Sequence, residues 1–156
     1  MKHLKNQMGR TMVEMLAVLA IIGVLTVGAI AGLSQAIDKY RTSKLHDDIL
    51  AIDSGIVDLY AWQRRYPDST ASSFMYTLCT NNIFPEGCIG NSVAKNVYGG
   101  QYIVETTSQT VTIKATGLPA NICINLASDD MDWGEFLAPG ENNPVCNAGT
   151  FEIIFN

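Results

Sequence analysis

The feature that most constrains this chain is an uncharged apolar run near its N-terminus. No charged residue occurs between Glu14 and Asp38, and the 19 residues from Met15 to Leu33 contain one hydroxyl group, that of Thr26, and no proline. As an α-helix rising about 1.5 Å per residue, this run is about 28 Å long, close to the thickness of the apolar core of a bilayer. The run therefore predicts a membrane-spanning helix.

A short basic segment with Lys2, Lys5 and Arg10 precedes the run. A basic segment before an apolar run is also typical of a secretory signal peptide. This run, however, is longer than the roughly 7–15 apolar residues of such a signal, and no A-x-A-like cleavage site ends it. The sequence therefore favours an anchor over a signal peptide that is removed.

Glu14 lies at the edge of the apolar run, where a carboxylate needs a partner. The surrounding residues, Gly9-Arg10-Thr11-Met12-Val13-Glu14-Met15-Leu16 followed by AVLAIIGVL, resemble the processing and assembly motif of type IV prepilins and related pseudopilins. This resemblance implies a leader of residues 1–9 and cleavage by a prepilin peptidase between Gly9 and Arg10. It also implies methylation of the new N-terminus on Arg10 and a role in assembly for Glu14.

The motif departs from the family in two places. The first mature residue is usually apolar, whereas here it is Arg10, which adds a second cation near Glu14. The proline that many pilins carry in mid-span is absent, and Ala31 takes its place, as in the type IVb branch. Cleavage would create an amine one helical turn before Glu14 and within reach of the Glu14 of a neighbouring copy. We expect this carboxylate to be paired when identical helices meet in a filament core.

The helical pattern continues beyond the apolar run. Apolar residues recur mostly at helical spacings: Ile37, Tyr40, Leu45, Ile49, Ile52, Ile56 and Leu59. Charged residues are assigned to the opposite face: Asp38, Lys44, Asp47, Asp48, Asp53 and Asp58. We predict one helix from about Thr11 to Tyr66, ended by Pro67. It divides into a membrane and filament-core half, 10–37, and an amphipathic half, 38–66, which covers a head of residues 67–156.

All four cysteines, Cys79, Cys88, Cys123 and Cys146, follow the apolar run. An even number of cysteines in a small domain indicates disulfides and an oxidising compartment, which places the head outside the cytoplasm. A zinc site is disfavoured because no C-x-x-C spacing occurs. The cysteines alone allow three pairings.

The head is predicted to be α+β. Alternating, β-branched residues predict strands at Gln101–Glu105 and Thr110–Ala115, joined by a polar turn, and a last strand at Thr150–Phe155. A short helix is predicted from Leu118-Pro119 to about Leu126. No helix or strand is assigned to residues 67–90, which are rich in serine, threonine and asparagine.

The head also resembles that of type IVb pilins. The matching features are the turn Tyr98-Gly99-Gly100, the segment Gly117-Leu118-Pro119, Cys123 in a helix and Cys146 before the last strand. The resemblance implies a Cys123–Cys146 bond, which leaves Cys79 with Cys88. It further implies the type IV pilin fold, in which a long N-terminal helix, half of it transmembrane, packs on an antiparallel sheet with a disulfide-bounded C-terminal region.

Other functional classes find little support. With 10 basic and 15 acidic residues, the net charge of −5 disfavours nucleic-acid binding. No catalytic set or phosphate-binding loop is present, so no enzyme activity and no cofactor are expected. His46 is interpreted as a solvated residue of the helix face.

An acidic segment, residues 129–141, partly resembles a calcium loop. Glu135 occupies the position where such a loop requires glycine, so a solvated acidic loop without metal is predicted. Trp133 and Phe136, in the same segment, are expected to pack into the core or to meet a neighbouring subunit.

Together, the resemblance implies a structural subunit of a type IV, IVb-like pilus. Its partners would be further copies of itself, the membrane, the prepilin peptidase, an inner-membrane assembly platform with its ATPase, and a secretin. The subunit would reside in the inner membrane with a periplasmic head and then in an extracellular pilus. Two alternatives remain open: a pseudopilin of a type II secretion system, and a membrane-anchored binding protein that does not polymerise.

Overall fold

A computed structural model of the chain describes residues 5–63, 65–68, 71–128, 131–134, 138 and 143–156, without the side chains of residues 5–11 and 71. The described part contains three helices, α1 (Lys5–Tyr60), α2 (Ala71–Thr80) and α3 (Ala120–Leu126). It also contains five strands, β1 (Ala94–Lys95), β2 (Gln101–Thr106), β3 (Val111–Ala115), β4 (Val145–Asn147) and β5 (Thr150–Phe155). The chain forms two compact units, with the boundary inside α1 between Tyr40 and Arg41.

The strands form one antiparallel sheet in the order β1-β2-β3-β5-β4. In the β2–β3 hairpin, Tyr102 pairs with Ala115 and Thr106 with Val111. Strand β5 lies on the other side of β3, where Phe155 pairs with Val111. The predicted hairpin and last strand are confirmed to within one residue. Strands β1 and β4 were not predicted, because two or three residues are too few to show an alternating pattern.

The second unit has its core between the rest of α1 and one face of the sheet. The predicted apolar stripe of α1 is confirmed there, since Leu45, Ile49, Ile52 and Ile56 are all fully buried. They pack with the inward side chains of the strands, which include Val104, Val111, Ile113, Phe151, Ile153 and Phe155. Helices α2 and α3 add Phe74, Leu78, Ile122 and Leu126 to the same core. The predicted α+β class, a long N-terminal helix on an antiparallel sheet, is thus confirmed.

Two helix boundaries differ from the prediction. Helix α1 ends at Tyr60 and not near Tyr66, and the chain turns there with the Gln63 N–H donating to the Tyr60 carbonyl at 2.9 Å. Trp62, the next large apolar residue, is 96% exposed, so burial would not reward another helical turn. Helix α2 was missed because its serines and threonines favour helices weakly. Burial of Phe74, Met75 and Leu78 holds it in place.

A tight turn between β1 and β2 depends on one asparagine and one glycine. The Asn96 Oδ1 atom accepts from the N–H groups of Tyr98 and Gly100 at 3.0 and 3.1 Å, and its Nδ2 donates to the Thr116 carbonyl at 2.9 Å. A Cβ atom on Gly100 would lie 1.7 Å from the Thr116 oxygen. Only glycine fits at this position.

Candidate functional site

The part of α1 in the N-terminal unit presents a continuous apolar surface. Every side chain from Met12 to Tyr40 is exposed, and Val24 exposes 76% of its surface. Because each large apolar side chain left in water costs about 1.5–3 kcal/mol relative to burial, such a surface needs lipid or other chains to cover it. Among the described residues, α1 is the one helix long and apolar enough to cross a membrane.

The polar groups of this surface are few. The Thr26 hydroxyl donates to the Ile22 carbonyl at 2.7 Å and the Ser34 hydroxyl to the Ala31 carbonyl at 2.9 Å, so the helix itself satisfies both. Glu14 is exposed and is the one charged residue from Met12 to Ile37. This segment therefore combines a lipid-compatible surface with a single carboxylate.

Three glycines lie on the same helix, Gly23, Gly28 and Gly32. An added Cβ would meet no atom within 4 Å at any of them. Gly23 lines a shallow groove together with Leu19, Val24 and Val27. Small residues of this kind allow close approach of a second helix.

At the predicted processing site, the structure describes only the backbone. Gly9 and Arg10 belong to α1, but their side chains, like residues 1–4, are outside the described part of the structure. Cleavage, methylation and the role of Glu14 therefore remain predictions at this point.

The four cysteines form two disulfides, with the pairing that the resemblance implies. Cys79, near the end of α2, is bonded to Cys88, and their Cα atoms are 5.7 Å apart. Cys123 of α3 is bonded to Cys146 of β4, with a Cα separation of 5.6 Å. The second bond joins the short helix to the edge of the sheet and bounds the segment that contains the acidic loop.

The interpretation of His46 as a solvated residue is wrong. Its side chain is only 18% exposed, and its ring lies 4.5 Å from that of Trp133. The Nε2 atom donates to the Asp132 carbonyl at 2.7 Å, since a carbonyl oxygen can only accept. Trp133 packs into the core, which was one of the two expectations for it. Its ring stacks on that of Phe151 at 5.2 Å, and its Nε1 donates to the Leu126 carbonyl. His46 therefore fastens the disulfide-bounded segment to α1.

The predicted acidic loop is described only in part. Asp129, Asp130, Glu135, Phe136 and Glu141 lie outside the described residues. Among the residues that are described, no cluster of three or more histidine, cysteine, aspartate or glutamate side chains could hold a metal ion.

Two carboxylates assigned to the polar face of the helix lie against the core instead. Asp48 is 5% exposed, and the Tyr102 hydroxyl donates to its Oδ2 at 3.2 Å. Burial raises the pKa of Asp48, against the lowering effects of this hydrogen bond and of Lys44. Burial and the Asp48 carboxylate together raise the pKa of Tyr102. Asp53 is half-buried, and burial raises the pKa of its carboxyl to about 6.

The spacing could have revealed Asp48, which lies three residues after Leu45 and four before Ile52, both on the core face. An ion pair between Lys44 and Glu86 lies on the same side of α1 and links it to the segment before Cys88. These polar contacts fix α1 in the head and form no catalytic arrangement.

The second unit also contains an open cavity of about 330 Å³ at the end of α1. Its lining includes Tyr60, Arg65, Tyr66 and Ser108. Within the described lining, no histidine, cysteine or carboxylate side chain could activate the serine hydroxyl.

The chain is similar in sequence to known proteins. Residues 39–137, more than half of the chain, match the family described as PilS N terminal. Toxin coregulated pilin from Vibrio cholerae serotype O1 (strain ATCC 39315 / El Tor Inaba N16961) is 28% identical in an alignment of 156 positions that covers 94% of this chain and 69% of the relative. A second toxin coregulated pilin from Vibrio cholerae is 29% identical over 95 residues, covering 61% of this chain and 42% of that protein.

Proposed function

Because the chain belongs to the PilS N-terminal family of type IV pilins, we propose that it is a structural subunit of a type IV, IVb-like pilus. The observation that carries the proposal is the continuous exposed apolar surface of α1 from Met12 onwards, joined to a head with two disulfides. A membrane-anchored protein that does not polymerise could have both features. Similarity to two toxin coregulated pilins supports the polymer over the anchor.

Processing comes first in the proposed sequence of events. A prepilin peptidase cleaves between Gly9 and Arg10 and methylates the new amine on Arg10. The head folds in the periplasm, where an oxidising environment supports the Cys79–Cys88 and Cys123–Cys146 bonds. An inner-membrane platform with its ATPase then extracts the subunit into a growing filament, which leaves the cell through a secretin.

Glu14 is the proposed determinant of assembly. A carboxylate costs about 2.5–3.5 kcal/mol at a bilayer centre and less near the interface, so it is tolerated before assembly. Between packed helices it must be paired, and the removal of one partner of a buried ion pair typically costs about 3–5 kcal/mol. From Met15 to Ile37 the helix carries no charged residue. Identical helices that meet there gain a charge pair in addition to apolar contacts.

The first test is an intact-mass measurement on non-reduced protein from two fractions, the sheared cell surface and the membrane. We expect the sheared fraction to contain a species that lacks residues 1–9, is one methyl group heavier and has four oxidised cysteines. The same species confined to the membrane fraction would instead indicate a pseudopilin or a rare minor subunit. A chain that retains its first nine residues would refute the proposed processing.

The second test separates processing from polymerisation. Glu14→Val is expected to be cleaved normally and to yield no sheared filaments, while Glu14→Gln separates the loss of charge from the change in shape. Thr26→Val, a change within the same apolar surface, is the matched control and should assemble. Normal filaments from both Glu14 variants would refute the proposed role of this residue.

A further inference from the structure

We propose that the guanidinium group of Arg10 is the principal cation that neutralises Glu14 in the assembled filament. The inference rests on the proposed function, because it assumes cleavage after Gly9 and polymerisation through α1. It goes further by assigning the partner of Glu14 to a side chain and not to the new N-terminal amine.

The register of α1 places the two residues together. The helix is continuous from Lys5 to Tyr60, so positions 10 and 14 lie four residues apart on one helix face. Residues at this spacing are neighbours, with Cβ atoms about 5–6 Å apart. The same face is therefore available for pairing within one copy and between adjacent copies.

The charge count of the processed helix then selects between two cations. Cleavage removes Lys2 and Lys5, so the segment 10–37 retains one carboxylate, one guanidinium and one amine. No other charged residue lies between Glu14 and Asp38. Two cations cannot both be neutralised by one carboxylate in an apolar bundle, so one of them must lose its proton or remain in water.

The amine gives up its charge more easily. An α-amino group has a pKa of about 7.7–8.0, whereas a guanidinium group stays protonated above pH 12. A guanidinium group is also more weakly hydrated than an ammonium group and binds a carboxylate through two parallel hydrogen bonds. The pair that survives burial is therefore Arg10 with Glu14.

This assignment has a consequence for alkaline stability. A filament held by an amine–carboxylate pair loses that pair as the pH rises far enough to deprotonate the amine, and a free α-amino group has a pKa of about 7.7–8.0. A filament held by Arg10 and Glu14 keeps its pair throughout this range.

The experiment compares wild-type, Arg10→Lys and Arg10→Phe filaments. Phenylalanine supplies the apolar first residue that is usual in the family and leaves the amine as the remaining cation. Sheared filaments are incubated between pH 7 and pH 11 at fixed salt, and the sedimentable fraction is measured. We expect the midpoint of dissociation to be highest for arginine, intermediate for lysine, and about two pH units lower for phenylalanine than for lysine, following the pKa values of the groups.

Intact mass keeps this inference separate from the proposed function. If wild-type chains are neither cleaved nor found in filaments, the proposed function fails. If all variants are cleaved and dissociate at the same pH, Arg10 is not the partner of Glu14. If Arg10→Phe is not cleaved, the comparison of wild type with Arg10→Lys decides alone. Lys39→Ala, which removes a cation beyond the apolar run, is the control and should leave the midpoint unchanged.

Discussion

Gly100→Ala is expected to destabilise the head by about 1.5–4.5 kcal/mol. The new Cβ would lie 1.7 Å from the Thr116 oxygen and 3.0 Å from Asn96 Nδ2, so the start of β2 must move away from Thr116. This movement breaks the bonds from Asn96 Nδ2 to Thr116, from Gly100 N–H to Asn96 Oδ1 and from Thr116 N–H to the Gln101 carbonyl. Each such bond contributes about 0.5–1.5 kcal/mol net, which gives the expected sum.

The adjacent Gly99→Ala variant is the matched control. Gly99 has a φ of +84°, and its added Cβ meets no atom within 4 Å, so the cost is conformational, about 1–2 kcal/mol. Urea unfolding of the full chain in mild detergent can be followed by the fluorescence of Trp133, which is 5% exposed, whereas Trp62 is 96% exposed and changes little. A Gly100→Ala variant no less stable than Gly99→Ala would refute the steric argument.

Three further predictions use the same assay. Replacing both Cys123 and Cys146 by serine should lower the free energy of unfolding by about 3 kcal/mol, because the bond closes a loop with a separation of 23 residues. Replacing both Cys79 and Cys88 should cost somewhat less, because their separation is 9. The reverse order would contradict the chain-entropy argument. Because burial raises the pKa of Asp53 to about 6 in the folded state, the wild-type head should lose stability as the pH rises from about 4 to 6. At pH 7 the Asp53→Asn variant, which has no charge to bury, should therefore be more stable than the wild type by about 2–3 kcal/mol. Asp58→Asn, at an exposed position, should change the stability little. Ile52→Ala, at a fully buried position, should cost about 2–5 kcal/mol, and a comparable loss for Val57→Ala, at a position that is 42% exposed, would show that burial does not set the cost.

The elements with a clear hydrophobic period were predicted correctly. The stripe from Leu45 to Ile56 and the alternation in β3 and β5 record which side chains the core buries, so the sequence carries that information locally. The end of α1 was misplaced because Ala61 and Trp62 continue the helical pattern without any surface to pack on. A hydrophobic period shows which face of a helix or strand could be buried. Whether that face is buried depends on the residues elsewhere in the chain that pack against it.

The features that were missed depend on contacts between distant residues. Helix α2 is held by burial, and nothing in its own sequence favours it strongly. His46 is covered by Trp133, 87 positions further along the chain, and no local pattern indicates that contact. The proposed processing and assembly residues, Gly9, Arg10 and Glu14, lie close together in one motif. The sequence alone therefore suggests them, and their roles stay predictions.

The edges of the sheet affect how neighbouring heads can contact one another. The outer strands are its shortest, with two residues in β1 and three in β4, and Pro144 comes directly before β4. Long unpaired edges are templates for pairing with other chains, and short edges or proline prevent this. Heads brought to high local concentration along a filament would therefore meet through side chains and not by joining their sheets.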